Sequence, residues 1–271
     1  MFNRIVRFFV AAVFMAVSFC AFSKDFFVVA LPVEGPWNYF QEDGEQLTGI
    51  DIDILRAISR ESGYKFEFKP MSPSRAMAEL KNDNIDAIAG VSSNFATVNG
   101  LLFTKPYMSD ISQMVYQKPD AQKPVTKYKD LYTHVVGVIR TFSYFDELDD
   151  DPLITKEYSE DPEILFGKLN SGELDTVVAS EWESAYYLTT HSLPLHTFVP
   201  ASVNLTKHRY QTDRVIAFGK GFDRGVLKKI QRTIIVLSED NIISTIVDSY
   251  WSKFMNSKPA AEGEGESDSA R

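Results

Sequence analysis

The sequence predicts an α/β fold, and three observations carry the prediction. Ile50, Ile54, Leu55 and Ile58 recur at helical spacing, whereas Phe66 and Phe68 alternate with charged residues as one face of a strand does. The short apolar run Asp86-Ala87-Ile88-Ala89 stops at Gly90, where the backbone must turn. The same succession of strand, strand-end turn and helix returns after His134.

Taken in order, Met1 to Ser23 stands apart. Arg4 and Arg7 precede an apolar run from Phe8 to Phe22 that closes with Ala21-Phe22-Ser23, the pattern of a cleaved secretory signal, so the mature chain is expected to start near Lys24. Phe26 to Leu31 reads as a buried strand that Pro32, Gly35 and Pro36 break. Trp37 and Tyr39 follow in a loop at that strand's end, and two readings stand for them: walls of a ligand site, or cover for the edge of the core. The helix from Ile50 carries Asp51 and Asp53 near its start, where negative charge meets the positive end of the dipole. Alternate residues do not share a helix face, so a structural role is favoured over paired-carboxylate chemistry.

Pro73 preceded by Ser72 marks the start of a second helix. Arg75 lies in its first turn, where a cation opposes the dipole, and two readings stand for it: held by a carboxylate of a ligand or of the protein, or a solvated or salt-bridged surface cation. In an open parallel sheet, ligands gather beyond the strands' carboxyl ends, which makes Gly90 to Thr97, with Ser92 and Ser93, the first place to look. Arg140-Thr141-Phe142-Ser143 repeats that arrangement after the strand His134 to Ile139. Glu163 to Leu169 reads as a helix ended by Asn170-Ser171-Gly172, and Leu174 to Ala179 as a buried strand ending at Ser180-Glu181. Val226 to Leu237 and Ile242 to Trp251 are expected as closing helices, and Ser257 to Arg271 as an acidic tail unable to bury apolar surface.

Gly49-Ile50-Asp51-Ile52-Asp53, Asn84-Ile85-Asp86-Ala87-Ile88, Phe103-Thr104-Lys105-Pro106-Tyr107, Val136-Gly137-Val138 and Leu174-Asp175-Thr176-Val177-Val178 together resemble the family 3 periplasmic solute-binding proteins, over Phe26 to Trp251. The resemblance implies a type II periplasmic binding fold: two lobes, each a mixed sheet flanked by helices, joined by two hinge strands. Its divisions would be a first lobe at 24–113 and 213–256 and a second at 114–212, with the return hinge near Thr206 to Asp213. The implied function is capture of a small polar solute, an amino acid or related compound, for delivery to an inner-membrane permease. The alternative is an interaction module of the same fold that regulates a membrane-bound sensor. Implied ligand contacts are Trp37, Tyr39, Arg75, Gly90, Ser92, Ser93, Thr97, Arg140, Thr141, Ser143 and Glu181. The chain departs from amino-acid receptors at both ionic anchors: Thr97 stands where an arginine holds the ligand carboxylate, and Ser180 where an aspartate holds the ammonium, with Glu181 beside it.

Bulk properties agree with an exported folded domain, and a monomer is expected. The 271 residues are 44% hydrophobic and 24% charged, enough for one large domain or two lobes with real cores. Cys20, the single cysteine, falls within the signal, so no disulfide, thiol catalysis or cysteine metal site is expected. Losing Arg4 and Arg7 takes the formal charge from −9 to −11, which argues against nucleic-acid and anionic membrane partners. The four histidines form no metal-ligand spacing, and no nucleophile elbow, Walker A loop or dinucleotide fingerprint occurs, so neither an enzyme nor a cofactor is expected.

Overall fold

The computed structural model describes residues 26–256 apart from 42–43, 141–143, 145, 195 and 203–210. The expected signal and acidic tail, Thr141 and Ser143, and residues 206–210 of the expected return hinge all lie outside the described residues.

Strand β1 (Phe26–Leu31) leads through a short hairpin, β2 (Tyr39–Phe40) and β3 (Leu47–Thr48), into helix α1 (Ile50–Ser62). The helix forms there because its apolar residues fall on one face: Ile50, Ile54, Leu55 and Ile58 are all fully buried. It stops at Gly63, whose φ of 77° lets its N–H reach back to the Ser59 carbonyl. Strand β4 (Lys65–Pro70) turns Phe66 and Phe68 to the core, as their alternation predicts. Helix α2 (Pro73–Lys81) starts at the expected proline with Ser72 as cap, and strand β5 (Ala87–Val91) is buried throughout. Helix α3 (Ser93–Val98) and strand β6 (Leu102–Phe103) complete this unit.

Strand β7 (Met108–Gln117) opens the second unit, which continues with β8 (Val135–Ile139), α4 (Asp146–Asp150), β9 (Thr155–Ser159), α5 (Pro162–Ser171), β10 (Thr176–Ser180), α6 (Glu181–Thr190) and β11 (Val199–Pro200). His134 is buried, with its ring nitrogens against the Asp130 and Lys123 carbonyls. Strand β12 (Gln211–Phe218) returns to the first unit, and α7 (Arg224–Glu239) and α8 (Ile242–Asn256) pack against α1.

The strands join edge to edge in the order β4-β1-β5-β12-β7-β10-β8-β9. Parallel strands occupy both outer parts: β4, β1 and β5 on one side and β10, β8 and β9 on the other. Antiparallel β12 and β7 lie between them. Strand β7 serves both halves, pairing β12 through Met108 to Ser112 and β10 through Gln113 to Tyr116. The carboxyl ends of β1, β5 and β10 therefore meet at one seam, through Glu34 and Trp37, Gly90, and Ser180 with Glu183. Trp182, Ala185 and Tyr186 of α6 are buried within the hydrophobic cluster of the first half, so the core crosses that seam.

Candidate functional site

The seam is built around a buried ion pair. Asp51, at the start of α1, is fully inaccessible and receives Arg214 Nε at 2.9 Å on Oδ1 and Arg214 Nη2 at 2.7 Å on Oδ2. The Tyr107 hydroxyl donates to Oδ1 at 2.9 Å and Asn38 Nδ2 to Oδ2 at 2.9 Å, so both oxygens are saturated. Burial works against the Arg214 charge, but the Asp51 and Glu34 carboxylates hold its pKa above the usual arginine value. Burial and the neighbouring Asp51 charge hold the Tyr107 phenol well above its usual pKa, so it stays a donor.

Gly90 abuts this cluster. A Cβ there would lie 2.7 Å from Asp51 Oδ2 and 2.9 Å from Arg214 Nη2, and its φ of 75° disfavours any side chain. The glycine at the end of β5 is thus required by a buried carboxylate and guanidinium as well as by the turn.

Trp37 links the cluster to the other half. The Arg214 guanidinium stacks 4.4 Å above its ring, and its Nε1 donates to Glu183 Oε1 at 3.2 Å. Glu183 Oε2 in turn accepts from Ser180 N at 2.6 Å and Ser180 Oγ at 2.8 Å, closing a capping box at the start of α6. Trp37 lies 5.9 Å from Trp182, and Trp182 lies 4.7 Å from Trp251, so all three tryptophans of the sequence meet here.

Glu34, in the loop after β1, is the least satisfied charge of the seam. Its carboxylate lies 3.8 Å from Arg214 Nη1, with side-chain exposure of 13%, and no hydrogen bond reaches it among the described residues. Burial pushes its pKa up to about 7; Arg214 opposes the rise, while Glu183 and Asp51 add to it.

The residues expected to hold an anionic ligand are engaged elsewhere. Ser92 Oγ accepts from Phe95 N–H at 3.1 Å as the cap of α3, and Ser93 N–H donates to Asp213 Oδ1 at 2.7 Å. Thr97 is exposed and bonds the Ser93 carbonyl at 2.8 Å. Arg75 faces solvent 3.7 Å from Glu79, the i,i+4 carboxylate of its own helix, and exposed Arg140 stacks 5.4 Å from the Tyr158 ring centroid. Glu181 is exposed, whereas Glu183, two residues on, turns inward. Tyr39 packs 5.0 Å from Tyr186, beside the seam. Of the expected contacts, the structure brings Trp37 and Gly90 to the buried cluster. Asp51, Arg214, Glu34 and Glu183 join them there. The Ser180-x-x-Glu183 spacing is a capping-box signal readable in the sequence, while nothing local marks the pairing of Asp51 with Arg214.

The family model of the bacterial extracellular solute-binding proteins, family 3, matches residues 28–253. The L-cystine-binding protein TcyJ of Bacillus subtilis (strain 168) is 26% identical over 211 residues, covering 72% of this chain and 77% of that protein. Among solved structures, a mutant of ArgBP from T. maritima superposes with a TM-score of 0.69 at 19% identity, covering 84% of this chain and 96% of the other. A histidine kinase sensor domain with similarity to periplasmic binding proteins superposes with a TM-score of 0.68 at 18% identity, covering 83% and 98%. At these identities the superpositions establish the fold, a two-lobed type II periplasmic binding architecture.

Arg214→Ala leaves Asp51 buried and unpaired and is expected to lower stability by about 3–5 kcal/mol in denaturant unfolding. Gly90→Ala should also be strongly destabilising, whereas Gly63→Ala, with open space around it, should lose only about 1 kcal/mol. Equal losses at the two glycines would contradict the close packing at Gly90. Glu183→Ala removes both the α6 cap and the Trp37 acceptor; a loss of about 1–2 kcal/mol with red-shifted tryptophan emission is expected. Unchanged emission would show that the seam does not depend on this contact.

Proposed function

The chain belongs to the bacterial extracellular solute-binding proteins of family 3, and we propose that it captures a small cationic solute, an amino acid or related amine, between its two lobes and hands it to an inner-membrane ABC transporter. Glu34 carries this reading: a carboxylate on the seam with a single distant cation and no hydrogen-bond donor among the described residues. Arg214 is occupied by Asp51, so an incoming ammonium or guanidinium group would supply what Glu34 lacks. Asp213 already holds the α3 N–H that a carboxylate ligand would seek, and Thr97 carries no charge.

The reading includes export by cleavage after Ser23, the lobe divisions 24–113, 114–212 and 213–256 with β7 and β12 as hinges, and no catalytic role. The curated relative named above is, by its name, a binding protein for an amino acid, and the ligand class extends that kinship to the charges of this seam.

Two outcomes are expected. In calorimetric titrations with arginine, lysine, histidine, putrescine, glutamate and glucose, the cationic members bind, and more tightly at pH 8 than at pH 6, because Glu34 must lose its proton to receive them. Glu34→Gln should weaken that binding at least tenfold, about 1.4 kcal/mol, and flatten its pH dependence. Preference for glutamate or glucose, or a pH-independent affinity, would refute the assignment. In the ligand-free chain the raised Glu34 pKa means that the folded state holds an extra proton between pH 4.5 and about 7. Stability should therefore fall as pH rises through that window, by an amount on the order of 3 kcal/mol. Glu34→Gln should remove that slope, as read from unfolding midpoints across the same pH range.

A further inference from the structure

A groove of about 1030 Å³ opens beside the seam, between the β2–β3 hairpin, the later half of α6 and the end of α8. It is larger than the pockets of about 290 and 330 Å³ found elsewhere and sits at the upper end of the volume range of small-molecule sites. Its walls come from both halves of the molecule, and it shares none of its lining residues with the Asp51, Arg214, Glu34 and Glu183 cluster.

Its lining is amphipathic, and the two charged side chains in it, Asp53 and Lys253, both have partners within the protein. Asp53 is already bound by Arg56 at 3.1 Å and by the Tyr250 hydroxyl at 2.8 Å, so it offers no unpaired charge. The Tyr39 hydroxyl, the Gln41 amide and the Ser192 hydroxyl line the groove and make no hydrogen bond among the described residues. Phe40, with 42% of its surface exposed, and half-buried Tyr39 present aromatic surface beside those groups. A complementary ligand must pair neutral donors and acceptors with a flat apolar face. A sugar ring does so: its hydroxyls both donate and accept, and one face carries only C–H groups that pack on an aromatic ring.

We propose that this groove is a second binding site, separate from the inter-lobe solute site, and that it takes a neutral oligosaccharide. Tyr39, Gln41 and Ser192 supply the hydrogen bonds, and Phe40 the ring on which a sugar face rests. Tyr39, expected from the sequence to wall the solute site, works here instead.

The test titrates maltotriose, cellotriose and triacetylchitotriose into the full mature chain, followed by calorimetry and by amide shifts in heteronuclear NMR. One of the three should bind with millimolar or better affinity and shift the signals of Tyr39, Gln41 and Ser192. Tyr39→Phe and Gln41→Ala, which each remove a polar group at the surface, should weaken binding at least fivefold together, with unfolding midpoints unchanged. Glu34→Gln should leave the saccharide affinity unaltered, which separates this site from the seam. No heat and no shift with any trisaccharide at 10 mM would overturn the proposal. So would binding that ignores the groove variants, or binding lost in Glu34→Gln.

Discussion

The ion pair between Asp51 and Arg214 is the constraint on which the rest of the seam depends. Bringing two charges out of water costs several kcal/mol per ion, and only saturated geometry offsets it. Here Asp51 accepts from the guanidinium, from Tyr107 and from Asn38. Those donors come from the return strand β12, the approach to β7 and the loop after β1, so one carboxylate fixes both hinge strands and the first strand-end loop relative to α1. Gly90 follows from the same requirement, because no side chain fits against the charged pair.

The second consequence concerns which charges remain for a ligand. Arg214 lies at the centre of the seam yet is neutralised within it, while Asp213, its neighbour in sequence, occupies the Ser93 N–H at the start of α3. Glu183 is bound within the protein as cap and Trp37 acceptor. The balance that is left is acidic, and Glu34 carries it. Thr97, exposed on α3, adds no charge to that balance.

Aromatic packing sets how the halves meet. Trp37, Trp182 and Trp251 form one run of contacts, and Tyr186 fills the space where a Cβ on Gly35 would sit, at 2.1 Å from its ring. Separating the lobes would expose this apolar surface to water, at roughly 25 cal/mol for each Å² uncovered. The polar groove alongside is bounded by the same Tyr39 and Tyr186, so the two features share a wall while differing in chemistry.

The elements and their order are written in local signals of the sequence. The spacing of Ile50, Ile54, Leu55 and Ile58, the alternation of Phe66 and Phe68, the Ser72-Pro73 start and the Gly172 stop are local signals, set by backbone geometry and hydrophobic period, and each appears where it was expected. Five short motifs in one order were enough to identify the fold. Of the candidate contacts named from the sequence, Trp37 and Gly90 are the two that meet the buried cluster of the seam. Arg75 takes the surface reading: it meets an anion within its own helix, since Glu79 lies one turn on. Asp51 was recognisable as structural, but its partner lies 163 residues away, and no local pattern connects the two. Only the packed chain shows that Arg214 is neutralised, that Glu183 rather than Glu181 turns inward, and that Glu34 has no hydrogen-bond donor among the described residues. The physical reason is that a charge's role depends on which other charges the fold brings within a few ångströms of it, and that distance is a property of the packed chain.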